Sequence, residues 1–219
     1  MVTKPSERIV WVDCEMTGVD PFNDLLLEVA VVVTDSDLAP VDPGFEVVIA
    51  TSEADLERMS PFVKKMHLKS GLFERLPHGV PLEQAQQQVV EYLTRVLGSG
   101  SKPPLAGNSV GTDKTFLLRY MPEVMKLLHY RIIDVSSLKE LAKRWYPRVY
   151  YASPIKQGGH RALADILESI DEMRYYQQTL FRDPQTVPSN EARKVASRIA
   201  KFSVSGTIST ADSPKPYRP

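Results

Sequence analysis

Residues 9–18 read "IVWVDCEMTG", an apolar run suited to the middle of a sheet, with two acids set into it. Side chains alternate along a strand, so Asp13 and Glu15 share one face, about 6.5 to 7 Å apart along the chain, while Cys14 points to the other. Two carboxylates that close repel unless a proton or a cation stands between them, and oxygen ligands of this kind suit Mg²⁺ or Mn²⁺. A frayed, water-exposed strand end would carry the same D-x-E pattern at little cost, so the pair alone leaves both readings open.

Beyond this strand, residues 25–34 ("LLLEVAVVVT") and 45–50 ("FEVVIA") are further strand-like runs, and the connectors "GVDPFND" and "DSDLAPVDPG" place Pro, Gly, Asp and Asn at turn positions. Three antiparallel strands in a meander follow. Helical spacing then appears in Leu82, Ala85, Val89, Tyr92, Leu93 and Val96, and again in Phe116, Leu117, Tyr120, Val124 and Leu127. The short apolar segments "PPLAGNS" (103–109) and "YRIIDVSSL" (130–138) read as buried strands. Leu138, Leu141, Ala142 and Trp145 mark a third helix, residues 146–159 a tyrosine-rich loop, and Leu163, Ile166, Leu167, Ile170 and Met173 the stripe of a fourth helix from about 161 to 181. The fold class is therefore α/β: a mixed five-stranded sheet, antiparallel meander then β-α-β-α, with helices on its faces. The expected organisation is one domain over 1–182, an extension over 183–201 with one basic helix, and a disordered tail over 202–219, where Ser, Thr and Pro dominate.

The 219 residues and 42% hydrophobic content fit one sizeable soluble core, and 27 basic against 27 acidic residues give no field that would gather long polyanions. The single cysteine excludes an internal disulfide and a Cys-rich zinc site, and the N-terminus lacks the apolar stretch of a signal peptide, which together lead to a cytoplasmic expectation. No apolar run reaches the roughly 20 residues of a membrane helix.

A third acid, Asp113, stands in "GNSVGTDKTFLL" just past the fourth strand, in the first turn of a helix, where α/β sheets bind ligands and where Gly107 and Gly111 would let backbone approach one. The helix macrodipole alone would also favour an acid there, at roughly 0.3 to 1 kcal/mol. In "KQGGHRALADILESID", His160 and Asp165 would lie about 140° apart if both were helical. Gly158 and Gly159 instead allow His160 to sit in a loop folded back over the helix start. Asp165 lies off the apolar stripe, facing either a cleft or solvent.

Taken together, "DCEMTG", "GNSVGTDKTFL" and "GGHRALADI" resemble the three motifs of the DEDDh exonucleases in the RNase H-like superfamily. "WVDCEMTG", "MHLKSGL" and "HYRIIDVSSLKELAKRWYP" resemble, within that class, the oligoribonuclease family, and the likeness covers roughly residues 8–181. The resemblance implies 3′-to-5′ hydrolysis of very short RNA, dinucleotides above all, to 5′-monophosphates. Asp13, Glu15, Asp113 and Asp165 would be the metal ligands for two Mg²⁺ or Mn²⁺ ions, and His160 the general base, its unperturbed pKa near 6.5 suiting neutral pH. It further implies a substrate site in which Val19 takes the place of a base-wedging leucine, Phe62 stacks a base and His67 lies near the 3′ nucleotide. Ser109, Arg131 and Ser136 would hold the 5′-phosphate, with Tyr130 and Arg131 reaching across a homodimer. A capped 5′ end needs no counterion release from a long backbone, in keeping with the neutral net charge. Two other readings stay open: a DEDDh exonuclease acting on tRNA 3′ ends or DNA, and an inactive nucleic-acid-binding module of the same fold. Without the resemblance, Phe62 and Tyr130 would read as core aromatics, and Arg131 with Asp134 as a surface pair.

Overall fold

The computed structural model describes residues 7–57, 59–155, 159, 161–183 and 186–203, the last six without their side chains. The chain divides into two compact units, Met1–Leu180 and Phe181–Pro219.

In the first unit, β1 (Ile9–Met16), β2 (Leu26–Thr34) and β3 (Phe45–Val48) form the expected antiparallel meander. Three short helices follow, α1 (Glu53–Leu56), α2 (Pro61–Ser70) and α3 (Leu72–Arg75), then a 3₁₀ turn Leu76–His78 and the long α4 (Leu82–Leu97). The second half runs β4 (Leu105–Gly107), α5 (Gly111–Tyr120), α6 (Pro122–Lys126), β5 (Ile132–Asp134), α7 (Val135–Trp145), α8 (Pro147–Tyr151) and α9 (Ala162–Leu180). The sheet order is β3-β2-β1-β4-β5, with β4 parallel to both β1 and β5. β1 is thus central, the strand whose sequence is an apolar run, and all nine residues of β2 are buried.

Strand alternation sorts the two faces. Val10, Val12 and Cys14 of β1 join Val29, Val31 and Val33 against the buried residues of α4 and α5. Trp11, with Ala30 and Val32, faces α7 and α9 instead, and its indole N–H donates to Thr34 Oγ1 at 3.0 Å. Asp13 and Glu15 follow Trp11 at two-residue steps and so lie on the α9 face. Leu27, Val48, Leu56, Met59, Leu72 and Leu76 build a third cluster through α1 and α3.

Several details differ from the sequence reading. The helix expected through Phe116 to Leu127 breaks at Met121 (φ −135°, ψ 57°) because Pro122 starts α6 and disfavours a helical residue before it. The expected loop 146–159 begins with α8, again opened by a proline, Pro147. On α9 the inward face is Ala162, Ile166, Ser169, Ile170, Met173 and Tyr176, whereas Leu167, expected in the stripe, is 46% exposed. Gly107 makes room for a strand rather than a ligand: a Cβ there would stand 2.8 Å from the Val12 carbonyl oxygen.

The second unit contains α10 (Ser189–Ser203), with Arg182 and Glu191 paired at 2.8 Å. The tail expected over 202–219 lies, from residue 204, outside the described residues.

Candidate active site

β1 runs past β4. Their pairing covers only Val10 with Leu105 and Trp11 with Ala106, so beyond Gly107 the outer edge of β1 has no strand beside it among the described residues. Asp113, in the first turn of α5, fills that gap: its Oδ1 accepts the Cys14 N–H at 2.9 Å. On the α9 face, one carboxylate oxygen each from Asp13, Glu15 and Asp165 lie within 4.8 Å of one another. Asp165 occupies the first turn of α9 and faces this cleft, the alternative that its position in the sequence left undecided. The structure therefore gathers three of the four expected acids into one group. It sets Asp113 at the edge of that group, buried, with one oxygen committed to the β1 backbone.

The electrostatics fit a cation. Burial first, then repulsion from Asp13, Glu28, Asp165 and Asp113, pushes Glu15 from 4.5 up to about 9. Burial likewise raises Asp113 from 3.8 to about 6, against the lowering effect of its hydrogen bond from Cys14. Three hard oxygen donors in one cleft, their charges mutually unfavourable, are a donor set for a hard divalent cation rather than for a thiolate-seeking metal. Cys14 is no competitor as a ligand or nucleophile: burial and the surrounding acids push its thiol well above 9.0, and it packs with the core.

Two groups flank Glu15. His67, fully buried on α2, meets the Met16 carbonyl through Nε2 at 2.8 Å and sets Nδ1 3.7 Å from Glu15 Oε2. That carbonyl makes Nε2 the donor and fixes the tautomer when the ring is neutral. Glu28, directly opposite Glu15 in the β1–β2 register and buried, pairs with Arg75 at 2.7 Å. The Arg75 guanidinium also reaches Glu46 at 2.9 Å.

At the same end of the sheet, past β4 and β5, Ser109 Oγ and Ser136 Oγ lie 2.8 Å apart. Ser109 takes a left-handed backbone (φ 56°), sparsely populated for a residue with a side chain, and its N–H donates to Asp134 Oδ1 at 3.0 Å. The same oxygen accepts the Ser136 N–H at 2.9 Å as the N-cap of α7, so Asp134 is occupied here and is no simple surface partner for Arg131. Arg131 packs its guanidinium over Tyr130, 5.5 Å from the ring centroid. Val19, Phe62 and Tyr130 are exposed, which removes the core reading of the two aromatics. His160 lies outside the described residues. Sequence reasoning missed Asn108 and Glu172, which underlie the serine pair. Glu172 stands seven residues after Asp165, nearly two turns along the same helix face, and that spacing was the available signal.

A family profile described as exonuclease, RNase_T, matches residues 10–173. An oligoribonuclease of Leifsonia xyli subsp. xyli is 50% identical over 192 residues, 88% of this chain and 92% of that protein. The oligoribonuclease of Streptomyces griseus is 50% identical over 196 residues (89% and 97%), and that of Tropheryma whipplei 52% over 177 residues (81% and 95%). Among solved structures, exonuclease I from Methylocaldum szegediense aligns with a TM-score of 0.60 at 16% identity, and E. coli exonuclease I with 0.61 at 15%. These alignments take in 79% and 80% of this chain but only 41% of each exonuclease I chain, and they bear on the fold alone. The family profile, the relatives and the acid cluster together define a metal-dependent, hydrolytic nuclease. The chain belongs to the RNase_T exonuclease family, among its oligoribonucleases.

Proposed function

We propose that this chain is a 3′-to-5′ exoribonuclease acting on diribonucleotides and little longer, with two Mg²⁺ or Mn²⁺ ions held by Asp13, Glu15, Asp165 and Asp113. The observation that carries the reading is the meeting of Asp13, Glu15 and Asp165 oxygens within 4.8 Å on the α9 face. Divalent ions bound there would lower the pKa of water and stabilise the charge on the leaving 3′-oxygen.

The rest falls to the chain's own groups. Asp113, held by the Cys14 N–H, presents its second oxygen from a fixed position at the edge of the acid group. His67, anchored on the Met16 carbonyl and 3.7 Å from Glu15, lies near the 3′ nucleotide. His160 takes the proton from the attacking water. Val19 and Phe62, both exposed, contact the bases, with the shorter Val19 separating them less than a leucine would. Ser109 and Arg131, with Ser136 hydrogen-bonded to Ser109, form the 5′-phosphate site, and a homodimer brings Tyr130 and Arg131 across to the neighbouring site. The protein works in the cytoplasm, and no described helix is long and apolar enough to cross a membrane.

A length series of 5′-phosphorylated RNA from two to seven nucleotides, with solution mass measured in parallel, tests this reading. Cleavage rate should fall steeply after the dinucleotide, and the mass should be that of a dimer. A flat length profile would contradict the 5′ cap and favour an exonuclease for tRNA ends or DNA, and no turnover with Mg²⁺ or Mn²⁺ would leave a binding module.

A further inference from the structure

The hydrogen bonds behind Ser109 and Ser136 end on a buried acid, and we propose that Glu172 is a positioning residue for the 5′ end of the substrate, acting through Asn108 on the serine pair. The proposal rests on the 5′-phosphate site stated above.

Glu172 projects from α9 and is 3% exposed. A carboxylate taken out of water costs several kcal/mol unless it is paired and hydrogen-bonded. Glu172 has both: Lys139 Nζ stands 2.9 Å from Oε1, and Asn108 Nδ2 donates to Oε2 at 2.9 Å. An ionised carboxylate only accepts, so the NH₂ side of Asn108 must face Glu172 and its Oδ1 must face away. That oxygen accepts the Ser136 hydroxyl at 2.7 Å. With the Ser136 proton committed, the proton in the 2.8 Å contact between the two serines comes from Ser109. The relay thus has one sense, Ser109 to Ser136 to Asn108 to Glu172, and its charged end strengthens the links before it. Ser109 is the link that can turn its proton toward an arriving phosphate without stripping a buried partner. Its left-handed backbone, tied to Asp134, keeps that hydroxyl at the mouth of the relay.

The test compares kcat/KM for a 5′-phosphorylated and a 5′-hydroxyl diribonucleotide. In Glu172→Gln the preference for the phosphate should fall about tenfold, equivalent to about 1.4 kcal/mol. The loss should read in KM for the phosphorylated substrate rather than in kcat. In a Ser136→Ala background Glu172→Gln should add nothing, because both changes cut one relay. Asn108→Ala, which cuts the relay and leaves Glu172 paired with Lys139, should give the same loss and carries the test if Glu172→Gln does not fold. A preference kept in these variants, or additive effects in the double variant, overturns the proposal while leaving the 5′ cap standing. A wild-type enzyme indifferent to the 5′-phosphate overturns the cap itself and the proposal with it.

Discussion

Replacing Arg75 with Gln would remove the cation that faces Glu28, a buried acid beside Glu15 on the same face of the sheet. The side chain of Glu28 is 2% exposed and that of Arg75 41%, and the two meet at 2.7 Å. Breaking a wholly buried pair costs about 3 to 5 kcal/mol. A fully exposed pair is worth about 0 to 1 kcal/mol. One buried and one half-solvated partner place this pair between those limits, at about 2 kcal/mol, or about 4 to 8 °C in Tm for a chain of this size. The cost arises because Glu28, whose pKa burial already raises, is left uncompensated opposite Glu15. Neutralising it should therefore reverse the damage: Arg75→Gln with Glu28→Gln should regain most of the loss. Urea denaturation in chelator at neutral pH measures both. A single variant within about 0.5 kcal/mol of wild type, or a double variant no more stable than the single, refutes the reasoning.

Stability without divalent metal should depend on pH with a definite sign. Glu15 holds its proton more tightly folded, at about 9, than at its ordinary 4.5, so its contribution is full below 4.5 and is lost as pH rises toward 9. Melting curves in chelator should show Tm falling across that window, and Mn²⁺ should lift the alkaline end most, since deprotonated carboxylates bind it; a chelator curve that rises with pH would contradict the assignment. Asp113→Ala should leave the fold intact and lower turnover of a dinucleotide at least about a thousandfold, about 4 kcal/mol of barrier, in a steady-state assay. Activity within tenfold of wild type would remove Asp113 from the site.

The sheet was legible because its signals are local. β1 and β2 are apolar runs separated by turn residues, and the alternation that sends Val10 and Val12 to one face and Trp11 to the other also put Asp13 and Glu15 together. The segment 53–78 was harder, because helices of four residues, such as α1 and α3, are too short to show a period of 3.6. α8 was hidden in the same way, although Pro147 marks its start. Of the candidate site, Asp13, Glu15 and Asp165, which the structure brings together, and Ser109 with Ser136, which touch, were singled out through motifs carried by residues close in sequence. Asn108, Lys139 and Glu172 were not: the spacing from Asp165 sets Glu172 on that helix face, but their partnership joins the end of β4, α7 and α9, and no periodicity names a partner 64 residues away. Gly107 was misread for a related reason: a missing side chain shows that something comes close, and only the structure identified it as the Val12 carbonyl.

Titrating Mn²⁺ into the metal-free protein by electron paramagnetic resonance, with Asp165→Asn alongside, asks whether β1 and α9 jointly hold a cation. Saturable binding to the wild-type protein, weakened at least about tenfold (about 1.4 kcal/mol) by that one change on α9, is the result expected from the meeting of Asp165 with Asp13 and Glu15. Equal affinity in the two proteins would mean that the helix supplies no ligand and that the three acids are neighbours without a common ion.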